Sequence, residues 1–352
     1  MKPVVDLLGR HSDASGKLRG AVVGCGNIAE FHLRGWQRIP EVEIVALADP
    51  VRANGEDRRA RFAPQARVYE RLDTLLSAEK LDFVEILTPP WMHREHCLRA
   101  KEAGVHVICQ KPLCDTLADA RALVAAFDGY PKHFCVHENH PFRPWFQHVA
   151  KLHREGFFGT FRQVRLEHHE PMEPQEKNNL EAERGVLLQY GVHLVDMLRK
   201  LLGTPEWVSA RLDRVNPRVR GESLAHVLFE YPQATAVVNV AWKNGGVRHG
   251  STYFLGDQGE ALFDGGMTRG ESTRLRVAQG SAILLDETRS SLDDYVDSFY
   301  LYPRAFVDAL LNGSPPPQPA TENLQTVEMT FAAYAAAEQG RPVCYRDFQR
   351  LI

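Results

Sequence analysis

The pattern of apolar and polar positions along the chain changes character once. Up to about residue 138, short apolar runs alternate with stretches of helical periodicity. Leu18–Gly24, Val42–Ala48, Asp82–Leu87, Val105–Cys109 and His133–His137 read as strands. Between them, Asn27–Ile39, Arg52–Phe62, His93–Ala103 and Leu117–Phe127 read as helices. In the first of these, positions 28, 31, 33 and 36 are apolar, and Gly104 closes the third as the expected left-handed stop. Strands that are apolar along their whole length are buried on both faces. Their alternation with helices of about 10–15 residues implies right-handed βαβ crossovers and a parallel sheet. The predicted first domain, 1–138, is a doubly wound α/β unit.

The second predicted domain, 139–352, follows a different pattern. Pro144–Glu155 and Gly185–Leu202 read as helices, and Phe161–Glu170 as a long strand of alternating apolar and polar residues. From Trp207 to about Val277, strand-like runs joined by Gly, Pro and Asn turns suggest an open, mostly antiparallel sheet in an α+β domain. Asp297–Leu311 and Gln325–Glu338 read as terminal helices, with SPPPQP as a linker between them.

Composition narrows the function. The 352 residues carry 42 Lys and Arg against 45 Asp and Glu, so 42 − 45 = −3. That balance supplies no bulk positive field for nucleic acid or an anionic membrane. No apolar run reaches the length needed to span a bilayer, and the first residues lack the apolar core of a secretory signal. Six cysteines without a CxxC pair read as reduced core residues. The expectation is a cytoplasmic protein.

The sharpest chemical signal is Gly24-Cys25-Gly26-Asn27-Ile28-Ala29, which follows the first strand and opens the first helix. It fits G-x-G-x-x-G/A. The first glycine permits the tight turn, the second lets the backbone approach a pyrophosphate, and the small third residue allows close helix–strand packing. The helix N-terminus then offers N–H groups to the phosphates. Asp49, ending the second strand, stands where a carboxylate accepts from ribose hydroxyls. Its charge repels a 2′-phosphate and favours NAD over NADP, although Arg52 is close enough in sequence to reach such a phosphate. Cofactor contacts are expected from Gly24, Gly26, Asn27, Ile28 and Asp49, and from Thr88, Pro89, His93, Gln110 and Lys111 at or just after the carboxyl ends of later strands.

Together with TPPWMH, CQKPL, GVLLQYGVHLVDML and the AAYAAAEQGRPV tail, this fingerprint resembles the Gfo/Idh/MocA oxidoreductases. The resemblance implies an N-terminal Rossmann domain and a C-terminal α/β domain whose open sheet makes dimer or tetramer contacts. It also implies NAD(P)-dependent hydride transfer with a sugar, polyol or inositol-like substrate. The family's Glu-Lys-Pro element appears here as Gln110-Lys111-Pro112. Its Asp-x-Gly-x-His-x-x-x-Asp-like helix keeps Gly191, His193 and Asp196, with Gln189 in place of the first aspartate.

Oxidising a secondary alcohol needs a group that takes the hydroxyl proton. Lysine titrates near 10.4 and needs its pKa lowered by burial or a neighbouring positive charge, whereas imidazole titrates near 6.5. Proton transfer is assigned to the pair Lys111 and His193. Gln189, His193 and Asp196, spaced i, i+4 and i+7, are expected on one helical face. Gln189 would orient a substrate hydroxyl, while Asp196 is open between substrate contact and bracing the helix. Glu138, Asn139 and His140 are open between reading sugar hydroxyls and stabilising the domain crossover. Fifteen histidines raise a metal reading, yet no spacing fits a zinc template and none is expected. Arg58, Arg59 and Arg61 read as a solvated face. Two rival readings use the same residues: a tightly bound NAD serving lyase, hydrolase or epimerase chemistry, and a non-catalytic nucleotide sensor.

Overall fold

A computed structural model of the chain describes residues 16–172, 177–265 and 272–351. The N-terminal stretch read for a secretory leader lies mostly within 1–15, outside the described residues. The chain divides into two compact units. One holds the chain through His137 together with a return segment, Phe299–Asn323; the other holds Glu138–Ser298 and Leu324–Ile352.

The first unit contains β1 (Leu18–Val23), α1 (Ala29–Trp36), β2 (Val42–Ala48), α2 (Arg52–Phe62), β3 (Arg67–Tyr69), α3 (Leu72–Ala78), β4 (Phe83–Ile86), α4 (Pro90–Glu102), β5 (His106–Gln110), α5 (Leu117–Ala126) and β6 (Phe134–His137). Its six strands are all parallel, in the order β3-β2-β1-β4-β5-β6. In this doubly wound order the strand sequence reverses between β1 and β4, and ligands bind outside the carboxyl ends there. β4 and β5 are buried at every position, which explains their unbroken apolar appearance. β3 and α3 were not expected: a three-residue edge strand and a seven-residue helix are too short to display a period.

The second unit begins with a 3-10 turn at His140–Phe142, then α6 (Pro144–Arg154), β7 (Phe161–Pro171) and α7 (Lys177–Glu181). A π-helical turn, Leu187–Gly191, leads into α8 (Val192–Leu202). There follow β8 (Trp207–Asp213), β9 (Leu224–Glu230), β10 (Thr235–Lys243), β11 (His249–Gly256), β12 (Glu260–Asp264), β13 (Ser272–Gln279), β14 (Ala282–Ser290), α9 (Ser291–Asn312), α10 (Ala320–Gln339), β15 (Val343–Cys344) and α11 (Tyr345–Leu351). The strands form one sheet, β14-β13-β12-β11-β7-β10-β9-β8-β15, antiparallel except where β7 meets β10. β9 and β10 alternate between buried and less buried positions, so one face of the sheet is covered. β14 was missed because nearly all of its positions are exposed and its sequence does not alternate.

The predicted domains were two continuous stretches; the observed units are not. From Phe299 onward α9 belongs to the first unit. A Cβ on Gly35 of α1 would lie 1.9 Å from the Phe299 carbonyl oxygen, so glycine is what lets these backbones approach. Phe306 packs edge-on against Phe83 and His106. The SPPPQP segment is not a free linker: the Val136 N–H donates to the Gln318 carbonyl, and Cys135 bridges Pro319, covering the β6 edge of the sheet. No helix among the described residues is long and apolar enough to cross a membrane.

Buried histidines, His106 and His137 among them, make the first unit pH-sensitive. His106 Nδ1 accepts from the His133 N–H, and burial, with His133 and Lys132 adding to it, pushes the ring down to about 3. Burial likewise holds His137 at about 4; its Nδ1 pairs with Glu85, and its Nε2 is buried without a hydrogen-bond partner among the described residues. Both rings are neutral in the fold, whereas an unfolded histidine takes its proton near 6.5. Below that value the unfolded chain binds protons that the folded chain refuses, so stability is full above about pH 6.5 and is lost as pH falls towards 4. The Tm is expected to drop steadily between about pH 7 and pH 4.5, and His106→Asn to flatten that slope. An unchanged slope in the variant removes His106 from the account.

Candidate functional site

The glycine loop follows β1. Gly24 has φ +96°, and a Cβ there would sit 2.8 Å from the Leu87 carbonyl group, so this turn requires glycine. Gly26 is exposed, and a Cβ on it would meet no atom within 4 Å. That open surface is a cradle that any side chain would begin to fill. Asn27 and Ile28 continue the loop into α1, whose first residue, Ala29, is fully buried. At the end of β2, Asp49 Oδ2 accepts from the Cys25 N–H at 2.8 Å, and Oδ1 accepts from the Val51 N–H and from Asn54 Nδ2. The carboxylate thus ties the loop to the strand end. The Arg58 side chain, only 11% exposed, donates to the Gly26 carbonyl at 3.2 Å, while Arg59 and Arg61 are 41% and 43% exposed. Arg58 therefore leaves the solvated face assigned to it and lies over the loop. Open glycine backbone, a helix N-terminus and an acid at the next strand end fit a dinucleotide such as NAD.

Thr88 and Pro89 lie at the end of β4, both partly exposed. His93, expected at the cofactor, is instead fully buried. Its ring nitrogens lie 2.7 Å from the Thr88 carbonyl oxygen and 3.0 Å from that of Pro112, clasping the β4 and β5 ends together. Gln110 is also corrected: its amide turns inward, accepting from the Lys111 N–H and meeting His32. Lys111 itself, followed by a cis bond to Pro112, is partly exposed at the β5 end.

The second unit carries a separate polar cluster. His193 on α8 donates through Nδ1 to Glu138 Oε1, which makes Nε2 the nitrogen that accepts a proton. The His140 ring stacks on His193, with centroids 3.8 Å apart and planes at 22°. Asn139 donates to Ser298 Oγ at 2.8 Å. Glu138, Asn139 and His140 are all buried. The carboxylate on His193 comes from residue 138. The shared face of Gln189, His193 and Asp196 does not form. Gln189 lies in the π turn and donates to the Arg184 carbonyl, while buried Asp196 pairs with Arg199 and accepts from Thr326. The extra residue per π turn breaks the i, i+4 register.

Tyr190, which escaped notice in the sequence, and His168 join this cluster. Tyr190 packs edge-on against His193 and His140, and His168 stacks on it at 4.1 Å. The Tyr190 hydroxyl is buried without a hydrogen-bond partner among the described residues; burial, then Glu170, pushes it well above the ordinary tyrosine range. Its place beside Gln189 was the one available signal.

Two groups of residues bring histidines and a carboxylate close enough to invite a metal reading: Glu138, His140 and His193, and His32, Glu85 and His137. In the first, the His140 and His193 rings are stacked in nearly parallel planes with centroids 3.8 Å apart, and His193 Nδ1 is hydrogen-bonded to Glu138 Oε1. In the second, both Nδ1 atoms lie 2.7–2.8 Å from Glu85 Oε1. Ligands around tetrahedral zinc stand about 3.3 Å apart, given bonds of about 2.0–2.1 Å. Both groups have the geometry of hydrogen bonds.

Comparison with known proteins agrees with this architecture. Residues 18–138 match the oxidoreductase family described by its NAD-binding Rossmann fold, and 146–262 match the GFO/IDH/MocA C-terminal domain. The chain belongs to the GFO/IDH/MocA family. Among curated GFO/IDH/MocA relatives, a D-apiose dehydrogenase of Paraburkholderia graminis is 32% identical over 345 residues, covering 93% of this chain and 89% of that one. An inositol 2-dehydrogenase of Paracoccus denitrificans is 27% identical over 342 residues, covering 92% and 95%. An oxidoreductase from Agrobacterium radiobacter, solved with NAD+, L-tartaric acid and magnesium, superposes with a TM-score of 0.83 at 25% identity, covering 94% and 99%.

The open surface at Gly26 gives a direct test. Gly26→Val adds a side chain whose Cβ meets no atom within 4 Å, so the Tm should hold. NAD binding by calorimetry should weaken by tenfold or more, about 1.4 kcal/mol. Unchanged affinity would place the pyrophosphate elsewhere.

Proposed function

We propose that this protein is an NAD-dependent dehydrogenase oxidising a carbinol carbon of a sugar, polyol or inositol-like substrate. The observation that carries the reading is His193 held through Nδ1 by the buried Glu138 carboxylate. When bound, NAD accepts hydride from the carbinol carbon. Gly24, Gly26, Asn27, Ile28 and Asp49 bind the dinucleotide, with Thr88, Pro89 and Lys111 towards the nicotinamide end. Lys111 and His193 are the proton-handling pair. Glu138 fixes the His193 tautomer and stabilises the imidazolium as it forms, as a buried carboxylate does for any histidine base. Tyr190 and His140 orient a substrate hydroxyl. Asp49 favours NAD over NADP because a 2′-phosphate would meet its carboxylate. The names of the relatives, D-apiose dehydrogenase and inositol 2-dehydrogenase, support a polyhydroxylated substrate.

Assembly as a homodimer or homotetramer through the nine-stranded sheet belongs to the same proposal. On its less buried face, Leu228, Val237, Arg165, Tyr253 and Leu262 are cross-strand neighbours in register, forming a mostly apolar row across five strands. Val237→Asp should lower the sedimentation mass towards that of one chain; an unchanged mass would exclude this face.

A panel of D-apiose, aldoses, polyols and inositols, followed by absorbance of the reduced nicotinamide, tests the activity. His193→Ala, Lys111→Ala and Glu138→Gln should each lower kcat by roughly 10²–10⁴, His193→Ala and Glu138→Gln with the Kd for NAD unchanged. No turnover across the panel with NAD bound would overturn the reading.

A further inference from the structure

The first unit holds a second connected polar group, and it ends at Lys111. Glu85, in the middle of β4, has no exposed surface. Its Oε2 accepts from Trp36 Nε1 at 2.6 Å, and its Oε1 lies 2.8 Å from His32 Nδ1 and 2.7 Å from His137 Nδ1. His32 and Trp36 are spaced i, i+4 on α1, so one helical face serves both oxygens of one carboxylate. On the other side of the imidazole, His32 Nε2 lies 2.7 Å from Gln110 Nε2. Gln110 Oε1 accepts the Lys111 backbone N–H, also at 2.7 Å.

Every proton in this chain can be placed. The Lys111 N–H can only donate, so the carbonyl end of the Gln110 amide faces it. The NH₂ end therefore faces His32 and donates, which requires a bare lone pair on His32 Nε2. His32 is then the neutral Nδ1–H tautomer, and that N–H donates to Glu85. The donors around Glu85 hold its carboxyl far below the usual carboxylate range, against the opposing pull of burial. The negative charge thus sits on β4 and is reached from Lys111 through two neutral side chains.

We propose that Glu85, His32 and Gln110 are positioning residues for Lys111, a hydrogen-bond chain that runs from the buried carboxylate to the lysine's backbone amide and fixes the lysine at the end of β5. Position 110 needs no charge of its own because Glu85 supplies it from within the sheet. A carboxylate at 110 would present a second acceptor to His32 Nε2, and His32 would have to become an imidazolium held between two acids. Moving the acid outright, by Gln110→Glu with Glu85→Gln, again leaves one carboxylate and one neutral histidine, now with the tautomer inverted.

The kinetic arm of the test rests on the dehydrogenase reading; the spectroscopic arm does not, so failure of one is distinguishable from failure of the other. In ¹⁵N-histidine-labelled protein, assigned with His32→Gln, His32 should show protonated Nδ1 and bare Nε2. The Lys111 amide proton should shift upfield in Glu85→Gln, although the two residues do not touch, and should return in the double variant. With a substrate from the panel, each single variant should lower kcat about tenfold, and the double variant should recover to within about threefold of the wild type. An Nε2–H or imidazolium form of His32 in the wild type, or a Lys111 amide indifferent to Glu85, would overturn the proposal. A double variant no better than the product of its singles would do the same.

Discussion

A carboxylate sealed inside a parallel sheet must find all of its solvation in the protein, because leaving a charge there unsatisfied costs more than most domains have to spare. Glu85 meets that constraint with three ring N–H donors, and meeting it organises the first unit. His32 and Trp36 set the rotation of α1 over β4, and His137 sets the end of β6. The return segment closes the group from outside. Phe299 lies edge-on to His32, and Tyr302 stacks on His137 at 4.0 Å. Those rings pack a segment from late in the chain onto the buried histidines of the first unit.

The second unit uses a carboxylate and a histidine for a different purpose. Glu138 accepts from His193 Nδ1 and so dictates which of its nitrogens takes a proton. In the first unit the histidines are donors to a fixed charge; in the second the carboxylate serves the histidine. The same residue types therefore have opposite roles, and only their hydrogen-bond directions distinguish them. Near both glutamines a buried carboxylate comes from another element: Glu85 is linked to Gln110 through His32, and Glu138 pairs with His193, four residues after Gln189.

Much of the fold was legible along the chain, since burial on both faces of a parallel strand and the 3.6 period of a helix are properties of neighbouring residues. The glycine fingerprint was legible for the same reason: Gly24, Gly26, Ala29 and Asp49 act through local backbone geometry at fixed spacing. The losses came where an element was too short to show a period, as in β3, or where its period was absent, as in β14. Arg58 was grouped with Arg59 and Arg61 because nothing local separates an arginine that folds over a loop from its solvated neighbours.

The sequence by itself determined the strand and helix order, the phosphate loop and the candidates for proton transfer. Tertiary structure alone decided which carboxylate each histidine meets. Glu85 and His32 are 53 residues apart and Glu138 and His193 are 55, and no local pattern encodes a pairing across that distance. It also turned Asp196, Asn139 and His93 inward and brought Tyr190 and His168 together. Hydrogen bonds are directional and short, so a π turn that rotates one helix face, or a strand that places one acid, reassigns partners that spacing along the chain cannot foresee.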